Sequence, residues 1–130
     1  MVVGKEFTYQ GKKLEELKQL SLSEFANLLP SRERRTILRS GTLIEKFLKR
    51  CNKKSDKEKN IRTHNRDIII VPKLVGLTIS IHNGKEFTQI IVTEEMIGHR
   101  LGEFTQTRSR VQHGAPGIGA TRGSAFLSVK

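Results

Sequence analysis

The side chains best suited to chemistry in this chain are its lysines and arginines, which can bind phosphate groups. There are 24 of them against 13 acidic residues, so the 130-residue chain carries a formal net charge of +11. Such an excess favours a polyanionic partner, most often a nucleic acid, over a merely basic soluble protein.

The strongest local imbalance lies between Ser31 and Lys59, where eleven basic residues face four acidic ones. A merely solvated helix face usually mixes the two signs, so this imbalance favours contact with phosphate. On the charge argument alone, the predicted nucleic-acid contacts here are Arg32, Arg34, Arg35, Arg39, Lys49 and Arg50.

No arrangement of residues in the sequence makes a case for catalysis. Gly114–Thr121, GAPGIGAT, is close to the phosphate loop of nucleotide hydrolases, but Ala120 stands where that motif needs lysine. The four histidines share no metal-ligand spacing, and Cys51 is the only cysteine. The Glu94-Glu95 pair suits the start of a short helix. We predict no enzyme activity, no cofactor and no metal. An enzyme with a degenerate nucleotide loop ranks third, after two kinds of nucleic-acid-binding protein.

The elements that would position these side chains centre on residues 66–104, which predict a small α+β core. The β-branched run Ile68–Val71 predicts a strand covered on both faces. Leu77–His82 alternates apolar and polar residues, and Asn83-Gly84 predicts a tight two-residue hairpin turn in which both residues adopt positive φ. With Phe87–Val92 as the returning strand, this makes a small three-stranded sheet with a hairpin, which needs helices as a cover.

The composition predicts three segments: a basic, helical N-terminal extension over 1–60, the α+β core over 61–104, and an extended, glycine-rich basic tail over 105–130. Within the first segment, Ser21 and Glu24 predict a capping box. A basic helix from Ser31 should stop at Gly41, and Thr42 should begin another. The tail has too little apolar content to fold alone, so we expect it to become ordered against a partner.

The chain shows no signal-peptide run and no apolar stretch long enough for a membrane span, so a cytosolic setting is predicted. The single cysteine fits that reducing compartment.

The central stretch also resembles a known family, the universal small-subunit ribosomal proteins numbered nineteen in bacteria and fifteen in eukaryotes. The family hairpin motif corresponds to His82-Asn83-Gly84-Lys85, and its GH-x-LGEF motif corresponds to Gly98–Phe104, followed by Thr107 and Arg108. The helical N-terminal part and the ending GAPGIGATRGSAFLSVK resemble the archaeal and eukaryotic branch.

The resemblance implies a structural, non-enzymatic protein of the ribosome in the cytoplasm, without a cofactor. It implies binding to the 3′ domain of small-subunit ribosomal RNA in the head, beside the protein numbered thirteen in bacteria. It also implies that the C-terminal tail runs toward the decoding region and the tRNA sites. On this basis the predicted RNA contacts are His82, Asn83, Gly84, Lys85, His99, Arg100 and Arg108 by motif, Arg62, Asn65 and Arg66 before the buried strand, and Arg110 and Arg122 in the tail.

The main alternative is a non-ribosomal, chromatin-type DNA-binding protein. Such a protein needs a helix that reads the groove and usually dimer symmetry, and neither is visible in the sequence. A preference for structured RNA over duplex DNA would separate the two hypotheses.

Overall fold

The structure, a computed structural model, describes residues 6–55 and 60–111. The elements follow in the order β1 Thr8–Tyr9, β2 Lys12–Lys13, α1 Leu14–Gln19, α2 Leu22–Asn27, α3 Ser31–Ser55, β3 Ile61–Thr63, β4 Thr78–His82 and β5 Phe87–Ile91, with short 3₁₀ helices at Pro72–Leu74, Glu94–Met96 and Leu101–Phe104. This confirms an α+β fold in which helices accompany a small sheet with a hairpin. In the described part of the chain, no helix is long and apolar enough to cross a membrane.

The main sheet has three strands in the order β3-β4-β5, but one of them is not the strand that the sequence predicts. β3 runs parallel to β4, with Ile61 opposite Ile79, and β4 runs antiparallel to β5. The predicted strand Ile68–Val71 is an extended, fully buried segment outside the sheet.

The backbone of Ile68–Val71 pairs with residues 98–101 instead. Ile70 N donates to His99 O at 2.8 Å, and Leu101 N donates to Ile68 O at 3.0 Å. The only bridge there joins Ile69 and Arg100, because the partner segment turns into a 3₁₀ helix and cannot extend a ladder. The burial of this segment on both faces was predicted correctly. The prediction of a strand was wrong, because a run of β-branched residues indicates burial but does not show which segment the backbone will pair with.

The hairpin is confirmed, but its turn is longer than the sequence predicts. His82 pairs with Phe87, so four residues, 83–86, connect the strands. Only Gly84 among them has positive φ, at 104°, and Asn83 does not. The Asn83 side chain builds the turn by another route, since its Oδ1 accepts from Lys85 N at 2.9 Å and from Glu86 N at 2.8 Å. Asparagine often caps its own backbone this way, which makes the left-handed conformation unnecessary.

The basic N-terminal region contains two helical segments joined at a kink, close to the point where the sequence predicts a break. α3 continues through Gly41 and Thr42, with non-helical backbone only at Ser40, where φ is −113° and ψ is 18°. A break between two helical segments is therefore confirmed, one residue before the predicted stop at Gly41, and the buried face continues across it from Ile37 to Ile44. The continuous apolar stripe packs both segments against the same core. The capping box of α2 is confirmed, with Ser21 N donating to Glu24 Oε2 at 2.9 Å.

The helices and the sheet share one hydrophobic core. It includes Leu17 of α1, Phe25 of α2 and Phe47 of α3, together with Ile79 and Ile81 of β4. Because these residues come from both sides of residue 60, the helices form the cover that the sheet requires.

Cys51 lies in this core with no exposed surface, and burial raises the pKa of its thiol to about 11. At pH 8 we therefore expect the native thiol to react with iodoacetamide at least about 100-fold more slowly than the unfolded chain, because the thiolate is the nucleophile. The same pKa shift makes the free energy of unfolding depend on pH. The contribution of the protonated Cys51 thiol to that free energy is complete below about pH 9 and is lost as the pH rises toward 11. Equal alkylation rates in buffer and in denaturant would contradict this placement.

Candidate nucleic-acid interface

The hairpin loop places one of the predicted cations at an exposed tip. The two hydrogen bonds to Asn83 Oδ1, together with Asn83 N donating to Glu86 O at 2.9 Å, hold the loop closed. Lys85 is exposed on this loop. Asn83 and Gly84 thus shape the loop, and Lys85 is the residue left to meet a phosphate.

A groove brings this loop together with the segment that follows the LGEF motif. Its volume is about 390 Å³, and it is lined by Asn83, Lys85, Glu86, Gln106, Thr107, Arg108 and Ser109. Lys85 and Arg108 are 23 positions apart in the sequence and both exposed. Two cations, polar side chains and a single carboxylate, Glu86, therefore share one groove, which suits a phosphate backbone.

Arg66, another predicted RNA contact, has its guanidinium engaged inside the protein. Its Nη1 donates to His82 O at 2.7 Å, and its Nη2 donates to Gly102 O at 2.7 Å and to Thr105 O at 2.5 Å. The fork geometry of guanidinium suits such multiple acceptors. Arg66 thereby joins the base of the hairpin to the LGEF segment and holds the two walls of the groove in register.

Gly102 lies against this arginine. Its N–H donates to Arg66 O at 2.8 Å, and a Cβ at position 102 would lie 3.0 Å from both Arg66 Cβ and Arg66 O. A side chain at position 102 would therefore push these two backbones apart by a few tenths of an ångström, whereas glycine permits their close approach.

The second motif is organised by Glu103, whose two carboxylate oxygens contact different residues. Glu103 Oε1 accepts from Arg100 N at 3.2 Å, and its Oε2 lies 2.7 Å from His99 Nδ1. Arg100 Nη2 donates to Thr36 Oγ1 of α3 at 3.2 Å. The side-chain partner of the Glu103 carboxylate is thus His99, and Arg100 ties the motif to the basic helix.

The cations of α3 lie on its outward side. Those predicted to bind, Arg32, Arg34, Arg35, Arg39, Lys49 and Arg50, are all exposed. Arg34, Arg35 and Arg39 line a groove with Leu29, Ser31 and Leu38, and Leu38 is 61% exposed. Further along, Arg50 rests on the Phe47 ring with its guanidinium carbon 5.4 Å from the centroid.

Two predicted residues before the buried segment lie near these surfaces. Asn65 lines a smaller groove with Leu43, Lys46, Phe47 and Arg50. Lys46 is exposed there, although it is not among the residues predicted to bind. Arg62 is exposed, and its guanidinium carbon lies 5.4 Å from the Phe87 ring centroid.

The last predicted residues fall at the end of the described chain or beyond it. Arg110 is exposed. Arg122, and most of the predicted tail, lie outside the described residues. Within residues 6–55 and 60–111, no group of three or more His, Cys, Asp or Glu side chains could hold a metal ion.

Comparisons with known proteins decide the family. The model of the Ribosomal protein S19 family matches residues 32–113. This chain belongs to the ribosomal protein S19 family. It is 49% identical over 131 aligned positions to the small ribosomal subunit protein uS19 of Halorubrum lacusprofundi, an alignment that covers 98% of this chain and 93% of that relative. Similarity to an archaeal member over nearly the whole chain confirms the archaeal and eukaryotic type.

The S19 family match includes α3, the hairpin loop, both motifs and the groove between Lys85 and Arg108. The family resemblance seen between Arg62 and Arg108 is therefore confirmed, and the match also includes the basic helix from Arg32.

Proposed function

We propose that this chain is a structural component of the small ribosomal subunit that binds small-subunit ribosomal RNA. The observation that carries the proposal is the groove in which Lys85 of the hairpin and Arg108 after the LGEF segment converge. Both residues are exposed, and the whole chain has a formal net charge of +11. Membership of the S19 family supports the ribosomal setting.

The proposed mechanism is architectural. The shared core fixes the distance between α3 and the groove, and Arg100 connects α3, through Thr36, to the segment that leads into the groove. Exposed arginines of α3 and the cations of the groove then neutralise phosphates on neighbouring RNA segments. Contacts to phosphate, sugar and shape should predominate, because A-form RNA hides its base edges in a deep, narrow groove.

The finer placement is also a proposal. It puts the chain in the head of the small subunit, on the 3′ domain of the RNA and beside the equivalent of bacterial protein thirteen. It also places the chain in the cytoplasm as part of the ribosome, with the C-terminal segment near the decoding and tRNA sites.

Competition between RNA and DNA tests the proposed function. The full chain should bind a transcript of the small-subunit 3′ domain in preference to duplex DNA of equal charge. If about six phosphates are neutralised, the logarithm of the binding constant should fall with the logarithm of salt concentration with a slope of about −4 to −5. Equal or tighter binding to the duplex would favour the chromatin-type alternative.

A further inference from the structure

The outer face of the three-stranded sheet carries a compact aromatic cluster that the phosphate contacts do not use. Ile61 and Thr63 of β3 point into the core, as do Ile79 and Ile81 of β4. The alternating residues therefore lie on the opposite face. There His82 pairs directly with Phe87 across the hairpin, and His64 follows β3 on the same side.

Three rings meet at this place. The centroids of His64 and His82 are 4.4 Å apart, and the two rings are tilted by 35° to each other. Phe87 stands edge-on to both, with its centroid 5.1 Å from that of His64 and 4.9 Å from that of His82. His64 is exposed, and His82 and Phe87 are half-buried, so the cluster is at the surface.

The cluster is held rigidly in place. Gly84 N donates to His82 Nδ1 at 3.1 Å, which fixes the orientation of the ring. The carbonyl of His82 accepts from the guanidinium of Arg66. Both the ring and the backbone of His82 are therefore fixed before any ligand arrives, which lowers the entropic cost of binding.

The charges around the cluster favour one class of ligand. Arg62 lies over the Phe87 ring, and the loop that begins after His82 leads to Lys85 and the phosphate-binding groove. Aromatic faces next to cations bind single-stranded nucleic acid, because the rings stack on bases while the cations meet the backbone.

Resting on the proposed function, we propose that His64, His82 and Phe87 form a stacking site for an unpaired RNA base, with Arg62 against the adjoining phosphate. The site deepens the RNA interface by adding a contact to a base face. It requires an unpaired nucleotide, because a base inside a duplex has both faces covered by its neighbours.

The test compares two probes with the same phosphates: an oligoadenylate about eight nucleotides long and an abasic oligoribonucleotide of equal length. The full-length chain should bind the base-bearing probe at least about fivefold more tightly, since stacking on an aromatic side chain has about that effect per base. Phe87→Leu should remove this preference, and Phe87→Tyr should keep it because the ring face remains. Phe7→Leu is the control, since Phe7 is another half-buried phenylalanine outside the sheet.

Each outcome decides something. Equal binding of the two probes by the wild-type chain would overturn the stacking site and leave the phosphate groove standing. Loss of the preference in Phe7→Leu, or in Phe87→Tyr to the same extent as in Phe87→Leu, would also overturn it, because the ring at position 87 would not be what reads the base. Failure of the wild-type chain to bind either probe or the 3′-domain transcript would overturn the proposed function together with this inference.

Discussion

Replacing Arg66 with methionine should lower the free energy of unfolding by about 2–4 kcal/mol. The methionine fills much of the same space but leaves the carbonyls of His82, Gly102 and Thr105 without their donor. Each half-buried acceptor that loses a charged partner costs about 1–3 kcal/mol, and water can partly replace the guanidinium here. Urea unfolding followed by circular dichroism measures the change.

Arg62→Met is the matched control, because Arg62 is exposed and makes no such set of backbone contacts in the described chain. It should change the free energy of unfolding by no more than about 0.5 kcal/mol. Arg66→Lys should recover only part of the loss, since a single ammonium cannot reproduce the fork. Equal stability of Arg66→Met and Arg62→Met would show that the Arg66 guanidinium does not hold the hairpin to the LGEF segment.

Reversing both cations of the groove, in Lys85→Glu with Arg108→Glu, should weaken binding to the 3′-domain transcript by about 10- to 100-fold. Two phosphate contacts are lost and two carboxylates take their place in the groove. The salt slope should become shallower by about 2, one unit for each contact. Filter binding over a range of salt concentrations gives both quantities.

The control for this double variant is Lys18→Glu with Lys73→Glu. Both lysines are exposed and lie outside the groove, and the pair changes the net charge by the same amount. Its binding should fall by less than about threefold, through the general loss of positive charge alone. Equal losses in the two double variants would mean that bulk charge, rather than the groove, determines affinity.

The sequence predicts much of this fold because its strongest signals are local. The alternation in Leu77–His82 and the Asn-Gly pair locate the hairpin, and Ser21 with Glu24 locates a helix start. These features depend on neighbours in the chain. The four-residue loop was missed because Asn83 can close a turn either by positive φ or by its side chain, and the dipeptide does not distinguish them.

The errors and gaps arise where distant segments meet. Ile68–Val71 reads as a strand, but its partner is the irregular segment at His99, which no local pattern identifies. Arg66 reads as one more basic residue, and only its three carbonyl acceptors reveal its internal position. The aromatic cluster needed the exact register of His82 with Phe87, which depends on the true length of the loop. The net charge of the chain indicates the class of partner, whereas the roles of single residues follow only from their contacts in the folded chain.

A structural role in the small ribosomal subunit is tested by sedimentation of native cell extract through a sucrose gradient in high salt, with this chain detected in every fraction. The chain should migrate with the small ribosomal subunit after the salt wash, because a rigid fold would hold several proposed phosphate contacts in place together. Release of the chain to the top of the gradient would contradict a structural role in the subunit.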